Sequence, residues 1–132
     1  MSEETQVRKK QTVRFATLRH TDKQGDHFDL LIDAGRSLAT WKCPQPPEWA
    51  VDSSLICVRL KDHRRLYLDY EGPLTEDRGT VHRYDQGECL IHERTASRWE
   101  LTFRGQRLAG RFALEALSDD GDDWCLRFAP AP

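Results

Sequence analysis

The feature that most constrains this chain is its punctuation. Clusters of turn-forming residues recur about every 8–12 residues, with short runs of alternating apolar and polar side chains between them. The breaks are residues 21–26 (TDKQGD), Asp33-Ala34-Gly35, Pro44-Gln45-Pro46-Pro47, Glu71-Gly72-Pro73, Asp77-Arg78-Gly79, Asp85-Gln86-Gly87, Arg104-Gly105 and residues 118–122. The runs between them read as strands. They lie at residues 13–20, where Val13, Phe15 and Thr17 alternate with Arg14 and Ala16, and at 27–32, 37–43, 55–60, 80–84, 89–93, 99–103, 107–117 and 124–128. Only residues 47–53 offer so much as one helical turn. This pattern predicts an all-β fold: a compact closed or nearly closed antiparallel β-barrel with few or no helices. Of the 132 residues, 1–12 are charged without an apolar period and read as a flexible N-terminal tail, leaving 13–132 as the domain.

Composition narrows the function classes. Twenty Lys+Arg against 22 Asp+Glu give a net charge of -2, which excludes a broad basic coat for nucleic acid. Any phosphate binding must be local, although Arg8-Lys9-Lys10 could touch a nucleic-acid backbone. No apolar run reaches the roughly 20 residues of a membrane span, and the N-terminus lacks the apolar stretch of a signal peptide, so a cytoplasmic protein with no membrane partner is expected. Cys43, Cys57, Cys89 and Cys125 form no CxxC pair and read as reduced filler. Trp41, Trp49, Trp99 and Trp124 read as core and rim. No P-loop, dinucleotide-binding glycine pattern or nucleophile elbow is present.

The first predicted hairpin carries the chemistry. His27 and Asp29 are two apart in a strand, so they leave one face while Phe28, Leu30 and Ile32 leave the other. His20 ends the preceding strand, where an antiparallel hairpin places it beside His27. Two imidazoles and a carboxylate at one point can bind a divalent transition metal and leave coordination positions open. The same spacing also fits exposed loop-edge histidines and a solvent-facing aspartate. Further along, residues 61–72 are dense in polar, aromatic and charged side chains, placed as a loop at a barrel mouth would be. There His63 could act as a general acid or as a donor to a phosphoryl oxygen, with Tyr67 donating alongside it. A solvated loop with Tyr67 and Tyr70 packed inward fits equally well. His82 and His92 read as outward strand residues.

Taken in order, these segments resemble the 3′-phosphoesterase domain of bacterial DNA ligase D and its stand-alone relatives. The resemblance rests on His20, His27-Phe28-Asp29, Thr40-Trp41-Lys42-Cys43-Pro44, Lys61-Asp62-His63 and Asp69-Tyr70-Glu71-Gly72. It continues through Gly79-Thr80-Val81, Tyr84-Asp85-Gln86-Gly87 and residues 101–114. It implies a small barrel enzyme of DNA repair that uses manganese or another divalent metal to trim 3′-phosphates and 3′-ribonucleotides. By the same resemblance His20, His27 and Asp29 are the metal ligands, and His63, with Tyr67 nearby, is the catalytic contact to the scissile phosphate. The implied partners are nucleic-acid 3′ ends and repair or ligase proteins, and the chain is expected to be a monomer. Three departures stand out: Leu31, Gln45 and Leu55 lie where the family has cations. Lys42, Arg64, Arg65 and Arg78 are the candidate replacements for phosphate or nucleic-acid binding. The alternative that follows from the departures is a non-catalytic metal- or nucleic-acid-binding barrel module.

Overall fold

The structure, a computed structural model, describes residues 11–130. The basic cluster Arg8-Lys9-Lys10 lies outside the described residues. Nine strands follow in chain order: β1 (Gln11–Asp22), β2 (Gly25–Asp33), β3 (Leu38–Cys43), β4 (Leu55–His63), β5 (Gly72–Pro73), β6 (Thr80–Arg94), β7 (Arg98–Gly105), β8 (Ala109–Ala116) and β9 (Asp123–Phe128). They pair in the order β1-β2-β3-β4-β9-β8-β7-β6-β5, and β1 pairs with β6 to close an antiparallel barrel of eight strands. Two-residue β5 is appended at the Thr80–Val81 end of β6, on the edge that β7 occupies further along. Among the described residues the only helical pieces are 3-10 turns at Pro47–Val51 and Arg65–Leu68. The first was expected; the second was not.

Alternation along the strands builds the core. Phe15, Leu30, Ile32, Trp41, Leu101, Phe103, Phe112, Leu114 and Leu126 all point inward and are buried. Each large apolar side chain so buried contributes about 1.5–3 kcal/mol. Trp41 packs edge-on against Trp99 and Trp124, with ring centroids 5.2 and 5.5 Å apart. The Arg59 guanidinium lies 4.4 Å over the Trp41 ring and that of Arg94 4.7 Å over the Trp99 ring, so π faces hold the cations at this end of the core. Trp49 is the exception among the tryptophans and is exposed on the first 3-10 turn. Cys43, Cys57 and Cys89 are buried free thiols, and Cys125 is half-buried.

A second, smaller core sits outside the barrel wall. Ala16 and Leu18 on β1, Leu31 on β2, Leu38 on β3, Val81 on β6 and Leu68 form a buried cluster, with Tyr67, Tyr70 and Leu74 packed against it. The segment that follows β4 therefore folds back over the outside of the sheet. Arg14 clamps it through Asp69 (2.7 Å), and Arg65 through Asp33 and the Gly35 carbonyl.

Three expectations are corrected here. Gln11 and Thr12 belong to β1, which pairs them with Ile91 and Leu90, so the strand begins before residue 13. Glu71-Gly72-Pro73 is no simple turn, because Gly72 and Pro73 pair with Val81 and Thr80 as β5. Asp85-Gln86-Gly87 is no turn either: β6 runs straight through it, with a bulge at Tyr84 where the β1 register shifts. Buried Asp85 instead accepts hydrogen bonds from the amides of Gln106, Arg107 and Leu108, satisfying the β7–β8 turn. Gly87 is there for close strand approach, since a Cβ at that position would lie 2.3 Å from the Arg104 carbonyl oxygen.

Candidate functional site

The β1–β2 register places His20 directly opposite His27 and Leu18 opposite Asp29. Because Phe28 and Leu30 point into the barrel, His27, Asp29 and Leu31 point out of it. The cluster thus lies on the outer wall, at the border of the segment that folds over the second core; it is the stretch at 61–72, expected as a loop at a barrel mouth, that supplies this cover. The side chains of His20, His27 and Asp29 each offer a ligand atom within 4.8 Å of the others. The two imidazole centroids are 4.4 Å apart. His20 Nδ1 lies 3.2 Å from Asp29 Oδ2, and His27 Nε2 lies 3.2 Å from Asp29 Oδ1.

Two features make this more than an ion pair. His20 Nε2 lies 2.7 Å from the Arg78 carbonyl oxygen and must donate to it. A neutral His20 then turns the lone pair of Nδ1 toward the Asp29 carboxylate. That arrangement is favourable only when Nδ1 also carries a proton or when a cation lies between the two atoms. The second feature is Asp29 Oδ1, which is buried and has no hydrogen bond among the described residues, because its contact with His27 is poorly aligned. A buried carboxylate oxygen without a donor is costly unless a cation meets it. The donor set, two imidazole nitrogens and a carboxylate, suits a divalent transition metal.

The local electrostatics agree. The His20 imidazole is raised above its ordinary value, chiefly by the hydrogen bond to Asp29, against the opposing effect of burial. Burial alone would raise the Asp29 carboxyl, but the facing His20 and His27 outweigh it and hold it at about 2.

The third element of the site depends on a close approach. Glu76 and Asp77 both adopt left-handed backbone conformations, and Gly79 follows at φ +96°. A Cβ on Gly79 would sit 2.0 Å from the Thr21 carbonyl oxygen. Only glycine lets the turn lie close enough to β1 for the Arg78 carbonyl to reach His20.

Two cavities meet at this cluster. One, of about 490 Å³, is lined by His20, His27, Asp29, Lys42, His63 and Arg78, with Lys23 and Asp77 paired at 2.9 Å across its edge. The other, of about 280 Å³, shares His20, Asp29, His63 and Arg78 but runs beneath Tyr67. His63 Nδ1 lies 3.0 Å from the Lys61 carbonyl oxygen, to which it must donate, so Nε2 is the nitrogen left for chemistry. Its ring meets Tyr67 edge-on at 5.9 Å.

The four candidate cations separate. Lys42 pairs in register with Asp29, on the outward face, and forms no ion pair among the described residues. Arg64 lines the second cavity. Arg65 is spent on Asp33 and Gly35, away from the site. The Arg78 guanidinium binds Thr75, and it is the backbone carbonyl of Arg78 that serves the site. Of the three positions that depart from the resemblance, Leu31 is fully buried in the second core and Leu55 packs against the barrel core, so both are packing residues; Gln45 is exposed. His82 points to solvent, and His92 lies 2.7 Å from Thr102 Oγ1.

Lys23 and the Arg78 carbonyl were not anticipated. The Asp77-Arg78-Gly79 turn marks the place of the last, but nothing in a linear reading says that a main-chain oxygen will orient His20.

The closed barrel thus presents a histidine–carboxylate centre on its outer wall, above a groove. A family model of the DNA ligase D 3′-phosphoesterase domain matches residues 18–116, and the chain belongs to that family. The match begins just before His20 and takes in every residue of the cluster. Membership carries a general role in phosphoester chemistry at nucleic-acid 3′ ends. No curated protein matches the chain. Among the described residues, no helix is long and apolar enough to cross a membrane.

Proposed function

We propose that this chain is a metal-assisted phosphoesterase that removes 3′-phosphates or 3′-ribonucleotides from nucleic-acid ends during DNA repair in the cytoplasm. His20, His27 and Asp29 would hold the ion, manganese or a similar divalent metal. The observation that carries this reading is the buried, donor-less Oδ1 of Asp29 between two imidazoles. A bound divalent ion would polarise a phosphoryl oxygen and ease ionisation of a water.

The chain's own groups supply the rest. The Arg78 carbonyl fixes the His20 ring and thereby which nitrogen faces Asp29. His63, anchored through Nδ1, holds a proton on Nε2 when charged and donates it or a hydrogen bond at the phosphoryl or leaving oxygen. Lys42 supplies positive charge beside Asp29 to attract and orient the substrate phosphate.

The test is release of phosphate or a ribonucleoside from a 3′-modified DNA primer in the presence of manganese. Metal-dependent turnover is expected, with loss in His27→Ala. No turnover by the wild type, or equal turnover by the variant, contradicts the proposal.

A second reading has its own support: Leu31 and Leu55 are committed to packing, Arg65 to Asp33, Lys23 to Asp77 and the Arg78 guanidinium to Thr75, which leaves Lys42 and Arg64 as the lining cations without such a partner among the described residues. A metal-binding module without catalysis would bind manganese and the primer end and release nothing.

A further inference from the structure

The site has two unlike arms. The 490 Å³ arm is edged by Asp22, Lys23, Gln24, Lys42 and Asp77, whose charged and polar groups sit at the ends of apolar stems, and no Phe, Tyr or Trp lines it. The 280 Å³ arm is the one with an aromatic wall: buried Leu18 and Val81, Leu74 and the Tyr67 ring line it beside Asp62, His63 and Arg64. Tyr67 is held in place by edge contacts with His63 at 5.9 Å and Tyr70 at 5.7 Å, and it packs against the second core. No hydrogen bond occupies its hydroxyl among the described residues, so ring and hydroxyl are both presented to the arm. The arms join at His20, Asp29, His63 and Arg78, where the reacting phosphoryl group belongs on the proposed reading.

We infer that the 280 Å³ arm is a subsite for the terminal nucleoside, its base lying against Tyr67 over the Leu18–Leu74–Val81 floor. The inference rests on the phosphoesterase reading for the position of the phosphate and adds to it the recognition of a base. A continuing strand carries a charge per nucleotide and belongs over the arm that holds Lys42, which forms no ion pair among the described residues. A single base is flat and apolar on its faces and belongs against an aromatic wall. The volume lies near the lower end of the ~300–1,000 Å³ range of small-ligand pockets, enough for one terminal residue but not for a chain. Arg64 at the rim offers donors to a base edge while Asp62 is taken up by Ser37 and Arg59, so the subsite would sense that a base is present more than which one.

The test is direct binding by calorimetry at fixed ionic strength, comparing a nucleoside 5′-monophosphate with ribose 5-phosphate and inorganic phosphate, since a terminal nucleoside beyond the scissile phosphate carries it on its 5′ oxygen. The nucleotide is expected to bind roughly tenfold more tightly than ribose phosphate, the scale of one stacked base. That advantage should vanish in Tyr67→Ala, persist in Tyr67→Phe, and vanish again in Leu74→Trp, which fills the arm while leaving Tyr67 in place. Equal affinity for nucleotide and ribose phosphate in the wild type overturns the inference, as does an advantage that survives both Tyr67→Ala and Leu74→Trp. A base-dependent advantage without any turnover of 3′-modified primers would refute the phosphoesterase reading and leave the subsite standing.

Discussion

The outer wall of the barrel carries two clusters of charged side chains built by opposite rules. On β7, β8 and β9, outward carboxylates meet arginines: Glu100 binds Arg98 at 2.6 Å and Arg111 at 2.7 Å, and Glu115 binds Arg127 at 2.9 Å and Arg98 as well. On β1 and β2, buried Asp29 meets only imidazoles, and one of its oxygens has no donor. Guanidinium groups stay charged and fill carboxylate lone pairs in a fixed fork, so the β7–β9 ladder can neither trade a proton nor admit a metal. Imidazoles do both. The first cluster ties strands together, and the second keeps a lone pair in reserve.

The sharpest way to break this comparison is to neutralise one carboxylate in each cluster. Asp29→Asn should lower metal-dependent turnover on the order of 10³-fold with the barrel still folded, by circular dichroism and primer assay. Glu100→Gln should leave turnover within about twofold of wild type. If Asp29→Asn keeps its activity, or Glu100→Gln loses it, the two walls do not differ as described.

Next in size is Gly79→Ala. The new Cβ would collide with the Thr21 carbonyl, at a backbone conformation that alanine adopts only under strain, and would push the Arg78 carbonyl away from His20. Metal affinity should fall about 10–100-fold by titration calorimetry, the usual cost of losing a group that orients a ligand. Unchanged affinity would show that His20 does not need that carbonyl.

How much of this contrast was legible in the sequence depends on range. The alternation around Phe15, Leu30 and Trp99 marked the strands, and His20, His27 and Asp29 could be brought together because a hairpin converts short spacing into proximity. Their outward direction on the wall followed from Phe28 and Leu30 pointing inward, yet the cover beside them depended on the segment around Leu68 folding back, which no local pattern encodes. Asp85 looked like a turn residue because Asp before Gly commonly is one; its true partners, the amides of residues 106–108, lie on another hairpin. Arg65 and Arg78 looked like free cations for the same reason, their partners Asp33 and Thr75 being visible only in three dimensions.

Lys42→Met sharpens the comparison from the substrate's side. Its charge sits beside Asp29 without an ion-pair partner among the described residues, unlike the arginines of the ladder. KM for a 3′-modified primer should rise about tenfold with kcat little changed, and the slope of log affinity against log salt should fall by about one. An unchanged salt slope would remove Lys42 from the substrate path.

The smallest effect belongs to the ladder. Arg111 and then Arg98 hold the Glu100 carboxyl at about 2, below its ordinary 4.5. A depressed carboxyl stabilises the fold above its unfolded value, and that stability is lost as pH falls through the folded value. Glu100→Gln should therefore be less stable than wild type by about 1 kcal/mol at pH 7, after screening by solvent. In chemical denaturation the difference should shrink from about pH 4.5 down to pH 2. A difference that persists at pH 2 would place its origin outside this ion pair.

The most direct test of the central claim is a manganese titration of the wild type and Asp29→Asn at neutral pH, followed by thermal unfolding. A ligand that binds only the folded state raises the melting temperature with concentration. The account predicts a saturable upward shift in the wild type that is absent in Asp29→Asn. A wild type that does not respond to manganese, or a variant that responds equally, would contradict it.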